Sequence, residues 1–243
     1  MGKRRQVVHN AMVRRIVLLA LTGAVMLAAA AAAFAGPRDP QLHKRPADVR
    51  RAKTLILKLG DLPAGFVDKG PEKSSGPAPA GCSAPNLHAL VMTADVSSHK
   101  FVRARAGKFA EALSEVSFFL RPAQAQRAVA AVTTSKMGRC LKRAAVAGAK
   151  KSADGSLTIV SARAVPLSES VADMHDKFWD IVVTFKAHGL LFHDELVLAY
   201  LRRGRVVSIV MLNSLNGLTE SEAKNISQTL TLRLARLPKS VIR

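Results

Sequence analysis

The sequence predicts an α+β fold: a central antiparallel β-sheet with helices packed on it, forming a single domain behind an N-terminal export segment. Three observations carry this expectation. Four β-branched or apolar runs, 156–167, 177–186, 190–201 and 205–212, follow one another with Asp154-Gly155, His188-Gly189 and Arg203-Gly204 as turn signals. Links this short join antiparallel neighbours. Other segments switch to helical spacing behind Pro46, behind Pro122 and behind Thr219-Glu220-Ser221-Glu222, which has the form of a capping box.

Taken in order, residues 36–45 contain Pro37 and Pro40 and read as a tether. Pro46 suits the first position of a helix, which continues through Ala52, Leu55, Ile56 and Leu59 until Gly60 stops it. Residues 61–66 form a tight turn that tucks Leu62 and Phe66 inward. The stretch 69–85 is rich in Gly, Pro and Ser, carries Cys82 and reads as a surface loop. A short helical turn is expected over 87–94, then strands over 100–105 and 112–120, the latter with Val116, Phe118 and Leu120 on one face.

Arg121-Pro122 changes the period. A helix over 122–135 would bury Ala125, Val129 and Val132, Gly138 would interrupt it, and a second helical piece over 139–149 carries Cys140. After the four strand runs, the capping box opens a last helix with Ala223, Ile226, Leu230, Leu234 and Leu237 as its apolar stripe, and Pro238 ends it.

The first 35 residues bound the compartment. Lys3, Arg4, Arg5, Arg14 and Arg15 precede an uncharged run from 16 to 35 that closes in Ala33-Phe34-Ala35 before Gly36. A basic start, an apolar core and a small-x-small triplet define a secretory signal, with cleavage expected between Ala35 and Gly36. Left uncleaved, the segment would serve as an anchor. The domain proper is then 46–238. Its location is secreted or at the cell envelope, so cytosolic nucleic acid is not an expected partner, and the membrane is reached only through an uncleaved signal or through surface charge.

The whole chain carries 37 Lys+Arg against 17 Asp+Glu, a net charge of +20. Loss of the five basic signal residues leaves +15. Such a charge attracts anionic envelope components such as lipid head groups or wall polymers, with a strength that falls as salt rises. Cys82 and Cys140 are the two cysteines. In an oxidising compartment the pair reads as one disulfide, whose closure of the intervening chain is worth roughly 4 kcal/mol in the loop-entropy model.

Motifs for known chemistry are missing. There is no Gly-x-Ser-x-Gly elbow and no phosphate-cradling glycine loop, and no cofactor is expected. His188, His193 and Glu195 are the candidates for a metal-assisted hydrolase, because three such ligands with a vacant position suit zinc. They lack the helical His-Glu-x-x-His spacing that makes such a site specific. Arg202, Arg203 and Arg205 flank Gly204 at a hairpin tip and are the candidates for gripping an anion.

The chain resembles the secreted sensor-type domain known from the extracellular part of mycobacterial PknH-type receptor kinases and its free-standing relatives. The marks are the helix running into Asp61-Leu62-Pro63-Ala64-Gly65-Phe66, the strand-to-helix passage 117–125, Cys140 late in that helical region, the hairpin at Gly204 and the terminal amphipathic helix. The resemblance covers most of 46–238. It implies a single antiparallel sheet with helices on it, a cleft suited to a small ligand, and no catalytic activity. The chain departs from the receptor pattern in having no kinase domain and one cysteine pair in place of two. The expectation is a non-catalytic, disulfide-stabilised binding or envelope-associated domain, with polyanion binding as the alternative.

Overall fold

The computed structural model describes residues 39–71, 85–105, 108–152, 157–171, 174–187 and 189–243. The cleavage pair Ala35 and Gly36, together with Cys82 and His188, lies outside these residues. Among the described residues no helix is long and apolar enough to cross a membrane.

The fold is α+β, built on one open nine-stranded sheet. In chain order the elements are β1 (Gln41–Leu42), α1 (Pro46–Leu55), a 3-10 turn (Leu59–Asp61), β2 (Val67–Pro71), β3 (Val91–Ser97), β4 (His99–Arg105) and β5 (Lys108–Phe119). They continue with α2 (Pro122–Val132), α3 (Ser135–Ser152), β6 (Leu157–Val171), β7 (Met174–Ala187), β8 (Leu190–Arg203), β9 (Val206–Leu215), α4 (Glu220–Ala235) and α5 (Lys239–Ile242). The strands run β1-β3-β5-β9-β8-β7-β6, with β4 also pairing β5 and β2 pairing β4. The last four strands form the expected antiparallel meander. β3 and β4 meet at Ser98 and pair with the two halves of β5, where the Ser98 Oγ accepts from the Ser114 amide at 2.9 Å.

Several expectations are corrected. The tether contains β1, which pairs in parallel with β3, so the sheet is mixed. A two-residue pairing made through backbone groups leaves no side-chain pattern to read. Of the stretch 87–94, the first half makes a turn and the second half is the start of β3, because pairing with β5 overrides local helical spacing there. The loop 69–85 begins as β2. Gly138 does not interrupt a helix: it lies inside α3, where a Cβ would stand 2.3 Å from the Trp179 ring. That ring donates its Nε1–H to the Val132 carbonyl at 3.2 Å, closing the junction between α2 and α3.

Helices cover both faces. One face meets α1, α4 and α5 through Phe118, Leu201, Leu212, Ile226, Leu230 and Leu234, and the other meets α2 and α3 through Phe119, Trp179, Leu198, Val129 and Leu141. β9 is buried along its whole length, which explains the mostly apolar run of its sequence, broken only by Ser208, Asn213 and Ser214.

The first face is tied by ion pairs. Arg205 places its guanidinium on the Asp48 carboxylate at 2.8 and 2.9 Å, and donates further to the Phe119 and Val241 carbonyls at 3.1 and 2.7 Å. Thr93 donates to the same carboxylate at 2.6 Å. Burial works against the Asp48 charge, but the bonds from Arg205 and Thr93 outweigh it and hold the carboxyl below its ordinary value. Arg103 grips Glu222 at 2.8 and 2.9 Å, and Arg233 grips Asp61. The hydrogen bond from Arg103, opposed by partial burial, leaves Glu222 at about 2.

Replacing Asp48 by Ala strands the buried Arg205 cation, and urea unfolding is expected to show a loss of about 3–5 kcal/mol. Gly204→Ala is expected to destabilise as well, since a Cβ at φ +56° would lie 2.0 Å from the Ile242 carbonyl oxygen. Depressed carboxyls stabilise fully above the unfolded value of about 4, and that contribution is lost as pH falls through the folded one. The fall in melting temperature from about pH 4 toward pH 2 should therefore be shallower in Glu222→Gln than in the parent.

Candidate functional site

The sheet face under α2 is incompletely filled. Side chains alternate along β5, so Glu115, Ser117 and Phe119 point toward α2. In register, Ser117 lies opposite Asp95 of β3 on one side and Val207 of β9 on the other. One pair along, Glu115 faces Ile209, which faces Tyr200 of β8. α2 roofs this floor with Ala128, Val129 and Val132, while Pro40, Leu87 and Met92 wall the side. The pocket is open at its mouth, and its empty space, solvent side included, is about 460 Å³.

Four polar side chains enter this apolar space. Ser117 donates to Asp95 Oδ1 at 2.9 Å. The Asp95 and Glu115 carboxyls hydrogen-bond each other, so one of them holds a proton. Burial, repulsion from Asp95 and the bond to it push Glu115 up to about 8. Asp95 stands exposed at the mouth and is also raised, by the protein crowding its carboxyl, against the bonds from Ser117 and Glu115. Tyr200 is 6% exposed, and nothing among the described residues hydrogen-bonds its hydroxyl. Burial and the neighbouring Glu115 both raise it.

The candidate residues read from sequence do not gather here. Arg205 is consumed in the Asp48 ion pair. Arg203 caps the end of α4, its Nη1 donating to the Leu234, Ala235 and Leu237 carbonyls at 2.9, 2.6 and 2.8 Å. Arg202 is on the opposite face of β8, where burial lowers its pKa. The anion grip expected at the hairpin tip is thus parted, because strand alternation sends neighbouring guanidinium groups to opposite sides of the sheet.

His193 and Glu195 do share a face of β8. The His193 Nδ1 lies 3.1 Å from the Thr184 hydroxyl, and Glu195 is raised by burial and by Asp180. Among the described residues no group of three His, Cys, Asp or Glu side chains is placed to hold a metal ion. Cys140 is 8% exposed on α3.

Sequence reading missed Asp95, Glu115 and Tyr200. A signal was available in β5, where Glu111, Glu115 and Ser117 share one parity with Leu113 and Phe119, so carboxyls fall on a face that packs against helices.

No protein-family model matches this chain, and no curated protein matches it. Among solved structures it is similar to LpqN, involved in cell envelope biogenesis of Mycobacterium tuberculosis, at 13% identity and a TM-score of 0.27, over 74% of this chain and 76% of that one. A likeness at that level supports neither a family nor a function, and membership of the PknH-type sensor domains is not shown.

Because the folded Glu115 carboxyl titrates near 8 and the unfolded one near 4.3, stability is lost as pH rises between those values. Glu115→Gln removes this loss, so thermal melts should show the variant gaining on the parent from about pH 5 to about pH 8.5.

Proposed function

We propose that this chain is an exported, non-catalytic binding protein whose cavity under α2 holds a small, largely apolar ligand. The observation that carries this reading is an apolar space roofed by α2, with the largely buried Tyr200, whose hydroxyl has no hydrogen-bond partner among the described residues, and a bonded carboxyl pair on its floor. Folded cores fill such space unless something else occupies it. The N-terminal signal pattern supports export, and the marks shared with the PknH-type sensor domains agree with a ligand cleft. A Cys82–Cys140 disulfide belongs to the same reading: it would pin the chain just before Leu87, a cavity wall, onto α3.

Nile red, a neutral apolar dye, should bind the mature chain with enhanced fluorescence, and Val129→Trp, which fills the cavity, should abolish that signal without lowering the melting temperature. Undiminished dye binding in Val129→Trp would defeat the reading. Protein collected from the culture fluid should begin at Gly36 and show no alkylatable thiol by mass spectrometry.

A second reading has its own observation. Lys136, Arg139, Arg143 and Lys150 are exposed at helical spacing along α3, which carries no acidic residue over its 18 residues. Such a stripe suits an anionic lipid or wall-polymer surface. Sedimentation with anionic vesicles should then weaken steeply as salt rises, and weaken further in Lys136→Glu/Arg139→Glu.

A further inference from the structure

We propose that the cavity under α2 takes an amphiphilic cation, a molecule with an apolar body and one protonated amine, with the amine seated between Asp95 and Glu115. This deepens the binding reading above and rests on it. The first support is the lining itself. Its ionisable members are Asp95, Glu115 and Tyr200, and none of its side chains is Lys, Arg or His. A carboxylate, phosphate or sulfate head would enter against like charge and leave its own charge unpaired among apolar walls.

The second support is donor and acceptor count. An alkylammonium has three donors and no acceptor. The floor offers the Asp95 carboxylate, the Glu115 carboxylate and the oxygen of Tyr200, whose side chain is more than nine-tenths buried and has no hydrogen-bond partner among the described residues. The remaining wall, from Leu87, Met92, Phe119, Val129 and Ile209, suits a hydrocarbon body.

A third support is the local charge. In a chain with 37 basic and 17 acidic residues, three acidic groups, Asp39, Asp95 and Glu115, act on one another at this mouth. Gathering like charges raises the proton affinity of Asp95 and Glu115, and a bound cation relieves the repulsion. The other groups facing the pair are Lys44, which attracts Asp95, and Ser117 and Tyr200. β9 and α2 contribute only aliphatic side chains to the lining, and Arg202, on the same face of β8 beyond Val207, stays outside it. Entry of an ammonium displaces the shared proton, so affinity should rise with pH and level off above the Glu115 value of about 8.

The test is competition of octylammonium, octanoate and 1-octanol against Nile red on the mature chain at about pH 8.5 and about pH 6, the amine being protonated at both. Octylammonium is expected to displace the dye at about tenfold or more lower concentration than the other two at the higher pH, with a smaller advantage at the lower. In Asp95→Asn/Glu115→Gln the advantage should vanish while dye binding persists. Tyr200→Phe, a milder change, should weaken octylammonium alone. Equal displacement by all three compounds, or an advantage that survives both variants, overturns the amine assignment and leaves the cavity reading standing. Absence of dye binding in the parent overturns both.

Discussion

The bond between Asp48 and Arg205 is the constraint on which the rest of the structure depends. Asp48 lies on the first helix and Arg205 in the turn just before the last strand, 157 positions away, and both are almost wholly buried. Around that pair converge Thr93 of β3, the end of β5 through the Phe119 carbonyl, and α5 through the Val241 carbonyl. A charge pair removed from water is tolerable only when its remaining hydrogen-bonding capacity is met, and here neighbouring elements meet it. The position of α1 on the sheet is thereby set by direction and distance as well as by apolar contact, which alone would allow sliding.

The two faces of the sheet are consequently unlike. The Asp48, Glu222 and Asp61 ion pairs all join elements on the α1 and α4 side, where α4 is held at its start by Arg103 and near its end by Arg233. The α2 side relies on apolar packing and on the Trp179 contact with the junction of α2 and α3. Space for a guest under α2 is compatible with a stable domain because alignment of the sheet is secured from behind. Glu115 and Val116, adjacent on β5, show the division: one side chain faces the cavity and the other is sealed in the opposite core.

Much of the framework was legible in the sequence. The Thr219–Glu222 box opens α4 as expected, with both reciprocal bonds formed, because a cap is written in local residue types. Pro122 opens α2 for the same reason. The meander from β6 to β9 followed from short links between apolar runs. What escaped depended on distant partners: β1 exists through pairing with β3, and Gly138 is small because Trp179 occupies its side of the helix. The cavity escaped for a related reason. Asp95, Glu115 and Tyr200 come from three strands, and their meeting follows from register rather than from spacing along the chain. The hairpin arginines misled because proximity in sequence at a turn says nothing about which face each guanidinium occupies.

Arg205 also draws on carbonyls at the far end of the chain, since its backbone amide donates to Ile242 and its side chain to Val241. During synthesis those acceptors emerge after almost every other residue described here, and until they do the central charge cluster is unfinished. Contacts so distant in sequence form slowly. Late closure of this kind leaves the charge cluster among the last parts of the core to consolidate.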